Sequence, residues 1–275
     1  MNIIVCIKQV PETTEVRINP ETNTLIREGI KSIINPFDMY AIEEALRLKE
    51  KFGGKATVIT MGPQQAEVAL REAISMGIDE GILVCDRAFA GSDTWATSYT
   101  LAGAIKKMGA FDLIICGKQA SDGDTAQVGP GISAHLDIPQ VTYVKKIEEA
   151  PALSNAQNNS EGRKGGGSMR VERMMEEGFE IIETPLPALI TVVKEINEPR
   201  IPSLKGMMRA KSAKITTWGQ KDLDLDPQGI GLCGSPTQVV KIFTPPQRQG
   251  GQILQGGPHE IAEKLVELLK NEITG

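Results

Sequence analysis

Four short apolar runs, each followed by a stretch of helical spacing, set the strongest limit on how this chain can fold. The runs are IIVCI (3–7), ATVIT (56–60), ILVC (82–85) and LIIC (113–116). None shows the alternation of a strand with one wet face. Runs that are apolar on both sides belong to strands covered on both faces, as in a parallel sheet. The stretches between them supply the cover. The first places Ala41, Ala45, Leu48 and Phe52 on one stripe, widened by Ile42 and Leu46, and stops at Gly53-Gly54. Asn35 reads as its N-cap and Pro36 as its first helical residue. Further helices are expected over 64–76, 93–108 and 128–136. This order predicts an α/β fold: a mainly parallel twisted sheet flanked by helices, of the Rossmann-like, nucleotide-binding kind.

At 275 residues the chain can bury a large core without disulfide or metal staples. With 4% aromatic residues and a formal charge of −5, it lacks the stacking rings and basic face of a nucleic-acid binder. Cys6, Cys85, Cys116 and Cys233 lie far apart with no C-x-x-C pair, and His135 and His259 are the only histidines, so no metal or iron-sulfur motif is present. Three of the cysteines sit in or at the end of apolar runs and read as small buried hydrophobes. His135 lies in a helical pattern and His259 near the carboxyl end, neither beside a serine or cysteine nucleophile. Acid-base and nucleophilic catalysis find no support there. The amino-terminal apolar stretch is about six residues, too short for a signal h-region or a membrane span. A cytoplasmic protein without membrane insertion is expected.

Later segments are less regular. Residues 16–26 (VRINPETNTLI) read as a hairpin around Asn19-Pro20. Residues 151–168 are polar and Gly-rich and lie between strand patterns at 141–147 and 170–184. They read as a long, flexible hairpin loop, since such a composition cannot bury enough apolar surface to order itself. After Pro187 comes one more strand, ALITVVK, then a basic, Pro-punctuated segment, NEPRIPSLKGMMRAKSAKI. Residues 222–257 show no sustained period, and helical spacing returns at Ile261, Leu265, Leu268 and Leu269. We therefore expect an α/β domain over 1–221 and a carboxyl-terminal arm with a helix over 222–275, reaching a partner subunit.

The most informative stretch for chemistry is CGKQASDGDTAQVGPG (116–131), which follows a predicted strand and runs into a predicted helix. In an open α/β sheet, ligands bind outside the carboxyl ends of the strands, and a helix start offers free N–H groups to phosphate. Gly117, Gly123 and Gly129 would allow close backbone approach, and Thr125 and Gln127 supply neutral hydrogen-bonding groups. Neither of the usual phosphate motifs is present. Asp112 and Gln119 stand where a P-loop needs Gly and Ser or Thr, and the G-x-G-x-x-G spacing is missing. Asp122 and Asp124 would repel a pyrophosphate if they faced it. On pattern alone, a surface Gly-rich turn explains the stretch as well as a nucleotide loop does. Residues 6–9, Met61-Gly62-Pro63 and the Asn35-Pro36-Phe37-Asp38 helix start would share the same rim, although helix capping alone accounts for Asn35 and Asp38.

Taken together, VCIKQVPET, INPFDMYAIEEALRLKE, VITMGP, GKQASDGDTAQVGP and VERMMEEGFEIIETPLPALIT resemble the beta subunits of electron-transfer flavoproteins over nearly the whole chain. The resemblance implies a nucleotide-binding α/β fold whose carboxyl-terminal arm wraps around a larger alpha subunit. It implies nucleotide contacts at Cys6, at Asn35, Pro36, Phe37 and Asp38, and at Met61. It implies the same for the run Gly117, Lys118, Gln119, Ala120, Ser121, Asp122, Gly123, Asp124, Thr125, Ala126, Gln127 and Val128. The DGDTAQVGP loop and Asp38 after NPF look like the electron-bifurcating type. In that type FAD occupies the groove, takes a hydride from NADH, and passes one electron to ferredoxin and one to the alpha-subunit FAD. EPRIPSLKGMMRAK resembles the loop that recognises a flavin dehydrogenase of the acyl-CoA or hydroxy-acid (lactate) type, with Leu204 as its anchor. The alternatives are a conventional carrier subunit holding structural AMP, and a nucleotide-binding regulator without redox function. The 151–168 insertion departs from the family pattern.

Overall fold

Strands buried on both faces need helices on both sides, and the chain supplies them by winding in two directions from its first strand. The computed structural model describes residues 1–12, 32–149, 167–240, 251 and 253–273. In chain order its elements begin β1 (Asn2–Cys6), β2 (Gln9–Pro11), β3 (Ser32–Ile34), α1 (Pro36–Phe52), β4 (Lys55–Met61), α2 (Glu67–Met76), β5 (Glu80–Val84), α3 (Thr94–Met108), β6 (Leu113–Gly117) and α4 (Val128–Leu136). They continue β7 (Gln140–Glu149), β8 (Ser168–Met175), β9 (Gly178–Pro185), β10 (Ala188–Val192), α5 (Leu204–Ser212), β11 (Thr216–Trp218) and α6 (Pro258–Ile273). The main sheet has 9 strands in the order β11-β5-β4-β1-β6-β10-β7-β8-β9. All neighbours from β11 to β7 are parallel, and β8 and β9 extend the sheet as antiparallel strands.

The expected α/β class and mainly parallel sheet are therefore observed. Side chains alternate between two cores. Ile3, Val5, Ala56, Val58, Leu113 and Ile115 face α1 and α2 through Ala41, Ile42, Leu46, Leu70 and Ile74. Ile4, Ile59, Ile82, Val84, Ile114 and Cys116 face the other way, onto Leu101, Ala104 and Ile105 of α3 and Ile132 of α4. Neither face of the central strands touches water, which is why their sequences show no polar alternation.

Three expectations need correcting or bounding. The 170–184 pattern is two strands, β8 and β9, joined by a turn at Glu176-Glu177 before Gly178. The basic segment after β10 contains a helix, α5, and is followed by a short strand, β11, neither of which periodicity revealed. The hairpin expected at 16–26 and most of the 151–168 loop lie outside the described residues. β7 and β8, which flank that loop, do pair antiparallel.

The chain divides into two compact units, one holding the described residues through Val240 and the other those from Gly251 onward. Residues 222–240, which the sequence places at the start of the arm, pack in the first unit. Leu223 and Ile230 are buried in the α3-side core, and Thr237 donates from N and Oγ1 to Asp93 at 2.9 and 2.8 Å. In the second unit, α6 leaves Leu265, Val266, Leu268 and Leu269 exposed. Among the described residues, no helix is long and apolar enough to cross a membrane.

The segment around α5 is held by ends and backbone more than by buried side chains. Ala210 is the single buried residue of α5. Arg71 of α2 donates to the carbonyls of Ala210, Lys211 and Ala213 at 2.6, 3.2 and 3.1 Å, capping α5. Arg209 of α5 returns the contact, donating to Ile74 and Ile78 carbonyls at 2.7 and 2.6 Å at the end of α2. Each guanidinium satisfies carbonyls that a helix end leaves free and complements the negative pole of the dipole. Upstream, Arg200 Nε donates to the buried Glu43 carboxylate on α1 at 2.8 Å. Burial alone would raise the Glu43 pKa, but the bonds from Arg200 and Arg47 outweigh it and hold the carboxyl below its ordinary range. A Cβ on Gly206 would stand 2.0 Å from the Ser75 carbonyl oxygen, so α5 can approach α2 only with glycine there. Gly206→Ala should therefore lift α5 and cost ~1–3 kcal/mol. Amide exchange over 204–212 should rise while β1, β4 and β6 stay protected; unchanged exchange there would refute the close-approach argument.

Candidate nucleotide site

The winding reverses beside β1. From β1 the chain moves through α1 to β4 and then β5, and from β5 it crosses back to place β6 on the other side of β1. Connections leaving in opposite directions open a crevice at the carboxyl ends of β1 and β6, the usual ligand position in an open α/β sheet. The residues that emerge there are Ile7-Lys8 after β1 and Lys118 onward after β6.

One buried carboxylate organises this crevice. Asp38, in the first turn of α1, is 5% exposed. Its Oδ2 accepts the Lys8 N–H at 2.7 Å and its Oδ1 accepts the Asn35 Nδ2–H at 3.0 Å, with a further contribution from the Gly117 N–H. A Cβ on Gly117 would fall 2.3 Å from Asp38 Oδ1 and 2.7 Å from the Phe37 backbone, so the end of β6 packs directly on the start of α1. Burial pushes the Asp38 pKa up from 3.8 to about 7, although the bonds from Asn35, Lys8 and Gly117 pull the other way. Asn35 occupies the N-cap position but makes no side-chain cap bond. Its amide is spent on the loop: Nδ2 donates to the Gln119 carbonyl at 2.8 Å, and Oδ1 accepts the Ser121 N–H at 3.0 Å.

Two acidic side chains of the loop find partners within the protein, one a cation and one a neutral amide. Lys8 Nζ pairs with Asp122 at 2.6 Å, and Gln119 Nε2 donates to Asp124 Oδ1. The repulsion they would exert on a phosphate is thereby reduced. Asp124 and Ala126 have φ of 52 and 54, the left-handed region, whereas Gly123 does not and would have open space around a Cβ. Gln127 follows Ala126 at φ −101 and ψ −25. A left-handed residue followed by a right-handed one turns successive N–H groups toward a common side, a concavity suited to an anion. The chain then enters α4, whose start carries no side-chain cap, so its first N–H groups remain free as donors. Thr94 Oγ1 donates to Gln127 Oε1 at 2.9 Å and braces this turn from α3. Such a set of donors would suit a phosphate.

The residues expected from the sequence thus fall in two places. Asn35, Asp38, Gly117, Gln119, Ser121, Asp122 and Asp124 are joined directly or through Lys8, and Gln127 and Val128 open α4 beside them. Phe37 is half-buried and Pro36 exposed at the start of α1. Cys6 and Met61 end β1 and β4 on the rim, with Cys6 buried opposite Cys116 in register. Contact with the Cys6 thiol, then burial, push the Cys116 thiol well above its ordinary pKa. Leu204 belongs to the separate α5 surface, where it is 73% exposed beside Ile201 and Met208. Sequence reasoning missed the specific roles of Lys8 and Thr94, which pair with residues more than thirty positions away in the chain and leave no local signal.

Residues 22–223 match the profile of the electron transfer flavoprotein domain. The chain belongs to the electron transfer flavoprotein family, as a beta-type subunit. It is 54% identical to the electron transfer flavoprotein subunit beta of Thermoanaerobacterium thermosaccharolyticum, across 98% of each chain. It is 49% identical to the caffeyl-CoA reductase-Etf complex subunit CarD of Acetobacterium woodii, across 99% of each chain. With the beta subunit of Clostridium acetobutylicum it shares 47% identity, again across 99% of each. In this flavoprotein subunit, four of the five sequence blocks that carried the resemblance lie at β1, α1, β4 and the 117–128 loop, around the crevice, and the fifth, residues 171–191, forms most of β8, all of β9 and most of β10.

The raised pKa of Asp38 has a measurable consequence. Between about pH 4 and 7 the folded chain holds a proton that the unfolded chain has lost, so Asp38 contributes most to stability below pH ~4 and progressively less as the pH rises toward 7. Asp38→Asn should flatten that part of the stability curve. It should also cost ~1–3 kcal/mol at pH 5, because an amide cannot accept from both Lys8 and Asn35. Denaturant unfolding of both forms from about pH 4.5 to about pH 8 checks this; parallel curves would sink the assignment.

Proposed function

We propose that this subunit holds FAD in the crevice between β1 and β6 and works in an electron-bifurcating complex. NADH is the hydride donor, and ferredoxin and the FAD of an alpha subunit are the two acceptors. What carries this reading is the DGDTAQVGP loop, turned at Asp124 and Ala126 into the uncapped start of α4. The same observation supports a phosphate-bearing ligand there. When bound, FAD would supply hydride acceptance and one-electron transfer, chemistry that belongs to the cofactor. The protein's part is to bind and orient. The Gln127 and Val128 N–H groups would face phosphate, Asn35 would fix the loop, and Lys8 would keep Asp122 from opposing the charge. AMP would use the same donors, which makes a conventional carrier the competing reading.

The similarity to a subunit of a caffeyl-CoA reductase-Etf complex supports a flavin dehydrogenase or reductase as the onward partner. Ile201, Leu204 and Met208 form an exposed apolar tip on a basic segment, the composition of an interface anchor. The carboxyl-terminal segment with α6 is proposed as the arm that engages the alpha subunit, since its helix exposes four large apolar side chains. On this reading the arm is the segment from Gly251 onward, while residues 222–240, expected from the sequence to begin it, pack with the nucleotide domain.

Two measurements test the reading. The heterodimer, purified gently, should contain two FAD and no AMP, and NADH should bleach the flavin of this subunit. One FAD with one AMP would select the conventional carrier. Leu204→Ala should lower electron delivery to the dehydrogenase by ~10-fold or more, with flavin content and NADH bleaching unchanged. Unaltered delivery would remove Leu204 from the interface.

A further inference from the structure

Tyr143 has a backbone that an aromatic residue seldom adopts. Its φ is 60, in the left-handed region where a bulky side chain marks a turn, strain or a functional constraint. It lies in β7 where the pairing with β10 slips between Ile190 and Val192. Its N–H is donated to Thr191 Oγ1 at 3.1 Å, and Thr191 is 2% exposed. The neighbouring residue of β10, Val192, accepts the Lys118 N–H at 2.9 Å. Tyr143 and Lys118 are therefore fixed to consecutive positions at the carboxyl end of one buried strand.

Their side chains meet. Lys118 Nζ lies 5.2 Å from the centre of the Tyr143 ring and 6.0 Å from that of Phe37. Aromatic faces attract a cation at these distances without cancelling its charge. Among the described residues the Lys118 ammonium has no carboxylate partner, in contrast to Lys8, which Asp122 neutralises. Of the two lysines that follow β1 and β6, one is thus paired, and the other, within the 117–128 loop, has its charge held against two rings without a carboxylate among the described residues.

We propose that Tyr143 is a positioning residue that, with Phe37, holds the Lys118 ammonium as the cationic contact for a phosphate of the bound nucleotide. This rests on the reading of the crevice as a nucleotide site. The strained backbone at Tyr143 is what turns its ring onto Lys118; a strand residue in regular pairing at that position would keep its N–H in the ladder. The bulge, the Thr191 bond and the ring stacking over the ammonium then have one explanation.

A double-mutant cycle on the full-length chain, freed of bound nucleotide, tests this with AMP and adenosine as probes. Tyr143→Asn keeps a residue tolerant of the left-handed backbone but removes the ring. It should weaken AMP binding ~5-fold while adenosine binding is unchanged, and it should reduce the salt dependence of AMP binding. Tyr143→Phe, which keeps the ring face, should bind AMP like the wild type. Lys118→Met should lose at least as much AMP affinity, and Tyr143→Asn should add nothing in that background. If Tyr143→Asn does not fold, Tyr143→Gly takes its place in the cycle. Unchanged AMP affinity in Tyr143→Asn, an equal loss for adenosine, or independent effects of the two substitutions would overturn the proposal. A wild-type chain that binds neither AMP nor FAD would overturn the nucleotide reading beneath it, an outcome distinct from a wild type that binds and a Tyr143 variant that binds equally well.

Discussion

The architecture around the crevice depends on a single buried carboxylate. Asp38 receives hydrogen bonds from the residue after β1 and from the residue that opens α1, and it packs against Gly117 at the end of β6. Three segments, around residues 8, 35–38 and 117, meet at one side chain. A carboxylate withdrawn from water without partners would be costly, so its position is acceptable only while all three are in place. The arrangement is for that reason all-or-none: the strand ends, the helix start and the loop are set by the same group. Asn35 extends the tie to Gln119 and Ser121 and leaves the α1 cap position without its usual bond.

Electrostatics in the loop follow from the same economy of partners. Its acidic residues are satisfied inside the protein, Asp122 by Lys8 and Asp124 by Gln119. At the start of α4 no side chain caps the backbone N–H groups. A concavity built this way would suit an anion although the chain as a whole carries a net charge of −5. Net charge therefore says little about the ligand of this site; the local pairing decides it.

The sequence was most readable where burial is two-sided. β1, β4, β5 and β6 fall within about two residues of the apolar runs, and α4 matches its expected 128–136 span, because both cores draw on the same strands and leave no room for polar positions. α5 was invisible for the converse reason: it buries only Ala210, contains Gly206, and is held by arginine side chains that belong to or reach another helix. At the site, topology singled out the 117–128 loop, yet its conformational detail was not legible there. Glycines mark 117, 123 and 129, but the left-handed turns are made by Asp124 and Ala126. Asn35 reads locally as a helix cap, and only the folded chain shows that its amide serves a loop some eighty residues downstream.

The reciprocal arginine caps between α2 and α5 have an evolutionary implication. A helix fastened by its termini and by one glycine contact contributes almost nothing to the interior, so its outward residues are free of packing constraints. Selection could rewrite Ile201, Leu204, Met207 and Met208 without a compensating change in either core. Arg71, Gly206 and Arg209, by contrast, would have to be retained together. The fold in this way separates a structurally constrained fastening from a replaceable surface, and lineages could diverge in what that surface recognises while inheriting the same sheet.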